Sequence, residues 1–218
     1  MWWDMARAHR VEFEDWHSHE HFPERMSIPG FLRGSRWASG AGGEEFFVMY
    51  ELDVYETLTS PHYLARLNDP TPWSTKMMPH HRNMVRSQCR VVESFGGGIA
   101  RSMVTTRFSP KPGEADRLRD RLRDVLANVP SVPGITGGHL LQTHTPDAAA
   151  TQEQIIRRGA DAVADWILLV SGYDVPALAD VMSTQFSAAS LAAAGAQLPQ
   201  LTSVYNLSYA MTSRDLQS

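Results

Sequence analysis

The chain has 218 residues, of which 43% are hydrophobic and 20% charged, and its formal net charge is −4 with histidine neutral. This composition is ordinary for a globular protein, and the weak acidic balance gives no reason to expect a nucleic-acid partner. The single cysteine, Cys89, excludes a disulfide framework and a cysteine-based zinc site. The sequence has no run of 18 apolar residues that would predict a membrane span. We therefore expect a cytoplasmic protein without a membrane partner.

The first half of the sequence predicts the order strand, helix, strand, strand, helix, strand. The predicted elements are a strand at 2–6, a helix at 10–25, strands at 31–38 and 46–54, a helix at 60–67 and a strand at 85–95. Pro29 and Gly30 end the first helix, because proline cannot continue it and glycine tolerates the turn. Three consecutive glycines, Gly96, Gly97 and Gly98, are unfavourable in any regular element and predict a boundary.

The second half repeats this order. The predicted elements are a strand at 100–108, a helix at 112–128, strands at 135–143 and 165–173, a helix at 176–194 broken near Ser183 and a strand at 201–211. An insertion at 145–162, with a helical part at 152–158, lengthens the second hairpin. Two short anchors support a repeat: Ile28-Pro29-Gly30 aligns with Val132-Pro133-Gly134, and Leu52-Asp53-Val54 aligns with Tyr173-Asp174-Val175.

The repeat predicts an α+β fold of two tandem ferredoxin-like β-α-β-β-α-β units, residues 1–97 and residues 98–218. Each unit would form a four-stranded antiparallel sheet with both helices on one face, so the other face needs cover. Two such sheets in one chain can cover each other as an intramolecular dimeric α+β barrel. The sequence leaves open whether the chain also forms a homodimer.

Three histidines cluster in the first predicted helix. His17 and His21 are four residues apart and share a helix face, whereas His19 does not. A neutral imidazole can take and give a proton near neutral pH, so His21, with Glu20 beside it, is the candidate general acid/base and His17 a second catalytic candidate. The alternative is that these histidines lie on a solvated helix face.

A second cluster, His80-His81-Arg82, stands among prolines near the end of the first unit. Irregular backbone of this kind often lines a pocket, and Arg82 or Arg86 could hold a substrate carboxylate through two parallel hydrogen bonds. We therefore assign His80, His81 and Arg82 to substrate binding. The alternative is a solvent-exposed loop.

Two aromatic residues complete the predicted site. Strand alternation places Tyr50 on one face with Phe46 and Val48, where its hydroxyl could donate a hydrogen bond to a substrate oxygen. Trp16 lies in the tryptophan-rich first half and would suit a pocket for an aromatic ligand. Core packing alone would also use both side chains.

Metal and nucleotide chemistry are disfavoured. An i, i+4 histidine pair can hold a metal ion, but Glu20 directly precedes the second histidine, unlike the His-Glu-x-x-His pattern of zinc proteases. The sequence also lacks a Gly-x-Gly-x-x-Gly fingerprint, a phosphate-binding loop and a Gly-x-Ser-x-Gly elbow. We therefore expect neither a metal site nor a cofactor.

The segment 14–25, EDWHSHEHFPER, followed by Ile28-Pro29-Gly30-Phe31, resembles the first-helix signature of EthD-like proteins in the dimeric α+β barrel superfamily. That signature has an aromatic residue, a Glu-His pair, a spacer and a Pro-Gly that opens the next strand. Residues 72–82 stand where the family has a short helix and loop. The resemblance covers residues 1–95 by motif and 100–211 by element order. It implies a small-molecule pocket, and the isomerases of this group carry a histidine that matches His21.

These observations predict a cofactor-independent enzyme that uses histidine acid/base chemistry on a small aromatic, polyketide-like or lactone-like molecule. The reaction would be of the isomerase, cyclase or lyase type. Two alternatives stay open: a haem- or metal-dependent monooxygenase on the same fold, and a non-catalytic small-molecule-binding protein. Because the second half has only His139 and His144, we expect the active site in the first unit and a structural role for the second.

Overall fold

The computed structural model describes residues 1–146, 149–157 and 161–217. The strands are β1 (Trp2–Asp4), β2 (Phe31–Ser39), β3 (Glu45–Leu52), β4 (Arg82–Val85), β5 (Cys89–Gly96), β6 (Ser102–Phe108), β7 (Ile135–Thr143), β8 (Trp166–Gly172) and β9 (Leu201–Thr212). The α-helices are α1 (Arg7–Trp16), α2 (Phe22–Met26), α3 (Pro61–Asn68), α4 (Pro72–Met77), α5 (Ala115–Leu126), α6 (Gln152–Ile156), α7 (Val175–Thr184) and α8 (Ala188–Ala194). None of the helices in the described ranges has the length and apolar character that a membrane crossing requires.

The predicted fold class is confirmed: the chain is α+β and follows the ferredoxin-like element order twice. Unit 1 comprises Met1–Gln88, Thr145–Val163 and Ser208–Ser218, and unit 2 comprises Cys89–His144 and Ala164–Leu207. Unit 1 has the strand order β4-β1-β3-β2, with β9 next to β2. Unit 2 has the order β9-β6-β8-β7, with β5 next to β7. Both are the 4-1-3-2 order of a ferredoxin-like sheet.

The structure moves the boundary that the three glycines predicted. The strand expected at 85–95 is two strands: β4 pairs with β1 of unit 1, whereas β5 pairs with β7 of unit 2. The chain therefore leaves unit 1 after Gln88, before the glycines. The insertion also belongs to unit 1, so neither unit is one continuous segment. The repeat itself stays a prediction.

The first predicted helix is not uniform. A π-helical turn at His17–His21 separates α1 from α2. Pro23 has no N–H to donate to the turn before it, and the backbone widens there. Two side chains bond carbonyls of the preceding turn: the Ser18 hydroxyl donates to Glu14 O at 2.7 Å, and His19 Nδ1 lies 3.1 Å from Asp15 O.

The helix predicted at 152–158 is shorter in the structure. It is α6, which ends at Ile156, and Arg158 lies outside the described residues. A capping box fixes its first turn, because Thr151 and Gln154 each bond the other's backbone. Gln152 N donates to Asn68 Oδ1 at 3.2 Å, which joins the insertion to α3 of unit 1.

The two units have cores of different character. The unit 2 core is mainly aliphatic, and α5 contributes Leu118, Leu122 and Leu126 at i, i+4, i+8 spacing. The unit 1 core is rich in aromatic and sulfur-containing side chains, namely Trp3, Met5, Phe13, Trp16, Phe22, Phe46, Met77 and Met78. Large, rigid rings therefore make up much of the unit 1 core.

Gly34 leaves space for two rings of this aromatic core. It lies in β2 opposite Tyr50, and a Cβ there would stand 2.3 Å from Cε1 of Phe22 and 2.9 Å from Cε1 of Tyr50. We expect Gly34→Ala to lower the free energy of unfolding by about 1–3 kcal/mol, because both rings would have to shift. Urea denaturation measures the change.

The matched control is Gly43→Ala in the β2–β3 turn, where the nearest atom to a Cβ is 3.4 Å away. We expect it to change the free energy of unfolding by less than about 0.5 kcal/mol. Equal stability of the two variants would contradict the packing described for Phe22.

Candidate functional site

A cavity of about 50 Å³ lies within unit 1. Its lining combines aromatic and apolar side chains with an unusual number of polar ones. The polar and charged lining residues are His17, His21, Arg25, Tyr50, Tyr63, His81, Arg86, Thr151, Glu153 and Arg157. Large aromatic walls with a few converging polar groups are typical of small-molecule sites.

Three histidines face this cavity. His17 is 2% exposed and His21 is 8% exposed, and their rings stack with centroids 5.2 Å apart. Nδ1 of His17, Nδ1 of His21 and both ring nitrogens of His81 are shielded from solvent and have no hydrogen-bond partner among the described residues. Buried polar atoms are normally paired, so these atoms are available to a ligand.

Burial keeps the three imidazoles neutral. It lowers the pKa of His17 and His21 well below the ordinary histidine value, and the positive charges of Arg36 near His17 and Arg25 near His21 lower each further. Burial lowers the pKa of His81 to about 3, with a smaller contribution from Arg157. Each neutral imidazole keeps one unprotonated ring nitrogen that can accept a hydrogen bond from a ligand.

Aromatic rings hold the histidines in place. Trp16 packs against His21 with ring centroids 4.7 Å apart, and Trp3 packs against His81 at the same distance. Phe22 meets the His17 ring edge-on at 4.4 Å. Nε1 of Trp3 is also buried without a hydrogen-bond partner among the described residues. The side chains are thus fixed by ring packing and leave their polar atoms unpaired.

Tyr50 of β3 lies in the same wall. Its ring contacts Phe22 and Phe31, with centroids 5.5 Å and 5.7 Å away. Its hydroxyl has no hydrogen-bond partner among the described residues, and burial raises its pKa. The Tyr50 hydroxyl therefore keeps its proton and can donate it in a hydrogen bond to a ligand oxygen.

A buried group of charges forms another side of the cavity. Arg25, 3% exposed, pairs with Glu153 from the insertion, and its Nη1 lies 3.5 Å from Oε2 of Glu24. Burial is the largest single effect on the Arg25 pKa and lowers it, but the groups around the guanidinium, Glu153 foremost, together outweigh burial and raise this pKa. Burial also raises the pKa of Glu24, which lies 3.7 Å from Nδ1 of His21. Arg157 lies 3.9 Å from Glu153 and 2.9 Å from Asp161.

Three residues assigned to the site from the sequence lie elsewhere. Glu20 accepts hydrogen bonds from Trp16 Nε1 at 3.1 Å and from the Thr71 hydroxyl, so the carboxylate that accompanies His21 is Glu24. His80 stacks on His9 with ring centroids 3.8 Å apart. Arg82 is exposed and pairs with Glu44 at 2.5 Å. These are corrections to the expected roles of Glu20, His80 and Arg82.

The structure also brings in residues that the sequence did not single out. Arg25 follows His21 by four residues, as His21 follows His17, so this helix spacing was a signal for it. Glu153 is 128 residues from Arg25, and no local pattern links the two. Arg86, the open alternative to Arg82, lines the cavity and donates from Nη2 to the Tyr63 hydroxyl at 3.1 Å.

Within residues 1–146, 149–157 and 161–217, no group of three His, Cys, Asp or Glu side chains is placed to hold a metal ion. His17 and His21 instead stack ring on ring with an interplanar angle of 20°. The cluster is arranged as part of an aromatic wall.

The fold of this chain also occurs in solved structures of other proteins. No family model matches the sequence, and no curated protein matches it. Among solved structures, an anthrone oxidase-like protein has a TM-score of 0.64 at 12% identity, over 97% of this chain and 91% of that one. A candidate monooxygenase from Fusobacterium nucleatum has a TM-score of 0.62 at 8% identity, over 97% and 91%. One from Lactobacillus acidophilus has a TM-score of 0.59 at 10% identity, over 97% and 93%.

The fold is that of the dimeric α+β barrel proteins. The likeness extends over nearly the whole chain, at identities that carry information on fold alone. The EthD-like resemblance of residues 14–31 stays a prediction. The site must therefore be interpreted from its own residues.

The neutral histidines make a prediction about stability and pH. In the unfolded chain a histidine binds a proton below about pH 6.5, whereas folded His81 does so only below about pH 3. The unfolded state therefore binds more protons in this window, and His81 makes the folded state less stable as the pH falls. We expect His81→Gln to reduce the loss of unfolding free energy between pH 7.5 and pH 5 by about 2 kcal/mol.

Urea denaturation of the wild type and of His81→Gln at each pH measures this difference. Taking the difference between the two proteins removes the contribution of the titrating groups that do not interact with His81. A pH dependence of stability that is the same in both proteins would show that the pKa of His81 is the same in the folded and unfolded states.

Proposed function

We propose that this protein is an enzyme that moves a proton on a small aromatic, polyketide-like or lactone-like molecule, with His21 as the general acid/base and without a cofactor. The observation that carries the proposal is the convergence of neutral, buried imidazoles with unpaired nitrogens on one aromatic-walled cavity. A protein that only displayed solvated histidines would have them exposed, and His17 and His21 are not. Perturbed groups in a cavity are typical of catalytic sites.

His21 is the best placed of the three to act as the base. Its ring stacks on His17 and packs at a tilt against Trp16, so its plane is held, and the Glu24 carboxylate lies beside Nδ1. When the imidazole takes a proton, the new positive charge lies near Glu24 and beside the anion left on the substrate. The substrate anion therefore raises the basicity that burial lowers in the empty site.

The proposed first step removes a proton from carbon next to a carbonyl or aromatic ring. The C–H electron pair stays on the substrate as an enolate, and the proton goes to the imidazole of His21. The Tyr50 hydroxyl donates a hydrogen bond to the enolate oxygen, and the guanidinium of Arg25 stabilises its charge. Returning the proton to another carbon gives isomerisation. Alternatively, the enolate carbon attacks a second carbonyl of the same molecule and forms the new ring, and the proton on His21 passes to the resulting alkoxide oxygen.

A second candidate shares this first step. The anthrone oxidase-like and monooxygenase names of the structural neighbours suggest that dioxygen consumes the carbanion. In that case a ring CH₂ and one O₂ become a ring carbonyl and one water, which balances without a cofactor. The haem- or metal-dependent alternative is tested separately, by Soret absorption and metal content of the purified protein.

The probe 1,8-dihydroxyanthrone separates proton removal from oxidation. Without oxygen, in D₂O, the wild-type protein should catalyse deuterium exchange at the CH₂ of the central ring, followed by NMR. We expect His21→Gln to slow this exchange by about 10²- to 10⁴-fold, the usual contribution of a general base. Admitting oxygen then shows, by the absorbance of the anthraquinone, whether dioxygen consumes the anion.

The matched control is His19→Gln, which removes a histidine two residues away whose side chain is 74% exposed. It should exchange the probe at the wild-type rate. Equal rates in the wild type and in His21→Gln would exclude His21 as the base, and a wild-type rate equal to that of buffer would exclude anthrone-like substrates.

A further inference from the structure

Arg25 is an unusual component of this cavity wall. It is 3% exposed, it lies on α2 one turn after His21, and its guanidinium cannot lose its proton at any ordinary pH. Burying such a charge is strongly unfavourable unless an anion accompanies it. A neutral side chain would fill the same space without this penalty. Packing alone therefore does not explain why an arginine stands at position 25.

Of the two anions that Arg25 pairs with, Glu24 is its neighbour in sequence, and the nearer one, Glu153, comes from the insertion. In unit 1, residues 40–44 join β2 to β3, whereas residues 144–165 join β7 to β8 of unit 2. The added residues are assigned to unit 1, where Glu153 reaches the cavity and lies against Arg25. The insertion therefore contributes to the cavity of unit 1, although in sequence it lies between β7 and β8 of unit 2.

We infer that Arg25 is the anchor for an anionic group of the substrate, and that Glu153 occupies this anchor until the substrate displaces it. The inference rests on the proposed function in taking this cavity as the substrate site. A guanidinium that pairs with the Glu153 carboxylate can pair in the same way with a ligand carboxylate or acidic phenol.

The size of the cavity requires such a displacement. A cavity of about 50 Å³ holds a few water molecules. A protein cavity that binds benzene has a volume of about 150 Å³. Part of the wall must therefore move before an aromatic ring enters. The five-residue helix α6 is suited to this, because Ile155 on it is 57% exposed and Glu153 is its charged contact with the cavity.

The surroundings of the anchor define the ligand class. Arg25 lies over the ring of Tyr63 at 5.9 Å, and the wall continues through Phe31 and Tyr50. An anionic oxygen at Arg25 would place an attached aromatic ring against these side chains, with its edge toward His21. The ligand class is thus a planar aromatic compound with a carboxylate or an acidic phenol.

The test uses the isosteric pair 2-naphthoate and 2-naphthamide, with binding followed by isothermal titration calorimetry at pH 7. Glu153→Gln removes the competing charge and keeps the side-chain volume. We expect this variant to bind 2-naphthoate at least about tenfold more tightly than the wild type and to leave 2-naphthamide binding nearly unchanged. Adding Arg25→Lys, which keeps the charge but loses the planar fork, should reduce the preference for the anion.

The matched control is Glu51→Gln, which removes a carboxylate paired with Arg33 at 2.7 Å and 2.8 Å outside the cavity. It should bind both probes as the wild type does. Equal tightening for both probes in Glu153→Gln would overturn the inference, because the insertion would then be only a steric cover. No tightening for 2-naphthoate would also overturn it.

This experiment is independent of proton transfer. His21→Gln combined with Glu153→Gln should keep the preference for 2-naphthoate even though the acid/base group is gone. A loss of exchange activity in His21→Gln without any anion preference at Arg25 would retain the proposed function and reject the anchor. Circular dichroism melting of each variant confirms that it is folded at the temperature of the titration.

Discussion

The site depends on one electrostatic constraint, a permanent positive charge buried beside histidines. Arg25 cannot become neutral, so it needs an anion, and it makes protonation of the nearby His21 still less favourable than burial alone does. The same charge pairs with Glu153, and this contact holds α6, from the insertion between β7 and β8, against the cavity. One guanidinium therefore both reinforces the effect of burial on His21 and attaches α6 to the cavity wall.

The sequence predicted the elements well where their signals are local. Pro29 and Gly30 end the first helical stretch, alternation defines β3, and the break between α7 and α8 falls next to Ser183. It failed for the unit boundary, because the partner of a strand is a non-local property. Three glycines indicate where the chain bends, but only the pairing of β5 with β7 determines to which unit the strand belongs. Helix spacing also could not predict the π-helical turn at His17–His21, which depends on how Pro23 interrupts the backbone hydrogen bonds.

The same distinction holds for the site. Helix and strand periodicity placed Trp16, His17, His21 and Tyr50 on the cavity side, and His81 lies there as well. Adjacent residues in irregular backbone face different ways, so His80 and Arg82 point away although they flank His81. Glu20 was expected beside His21 because they are neighbours in sequence, yet on a helix a residue three positions away is closer in space, and Glu24 fills that place. The Glu153 contact had no sequence signal at all.

The first helical stretches of the two units bury different kinds of side chain at the same spacing. In unit 2, α5 presents leucines at i, i+4, i+8, which pack closely in an aliphatic core. In unit 1 the same spacing carries His17, His21 and Arg25, whose rings and charge are held by aromatic packing. Each buried, unpaired polar atom there costs about 1–3 kcal/mol relative to a paired one. A ligand that pairs the imidazole nitrogens and the Tyr50 hydroxyl recovers part of that free energy as binding. The unpaired atoms therefore favour a ligand whose oxygens can both accept and donate hydrogen bonds.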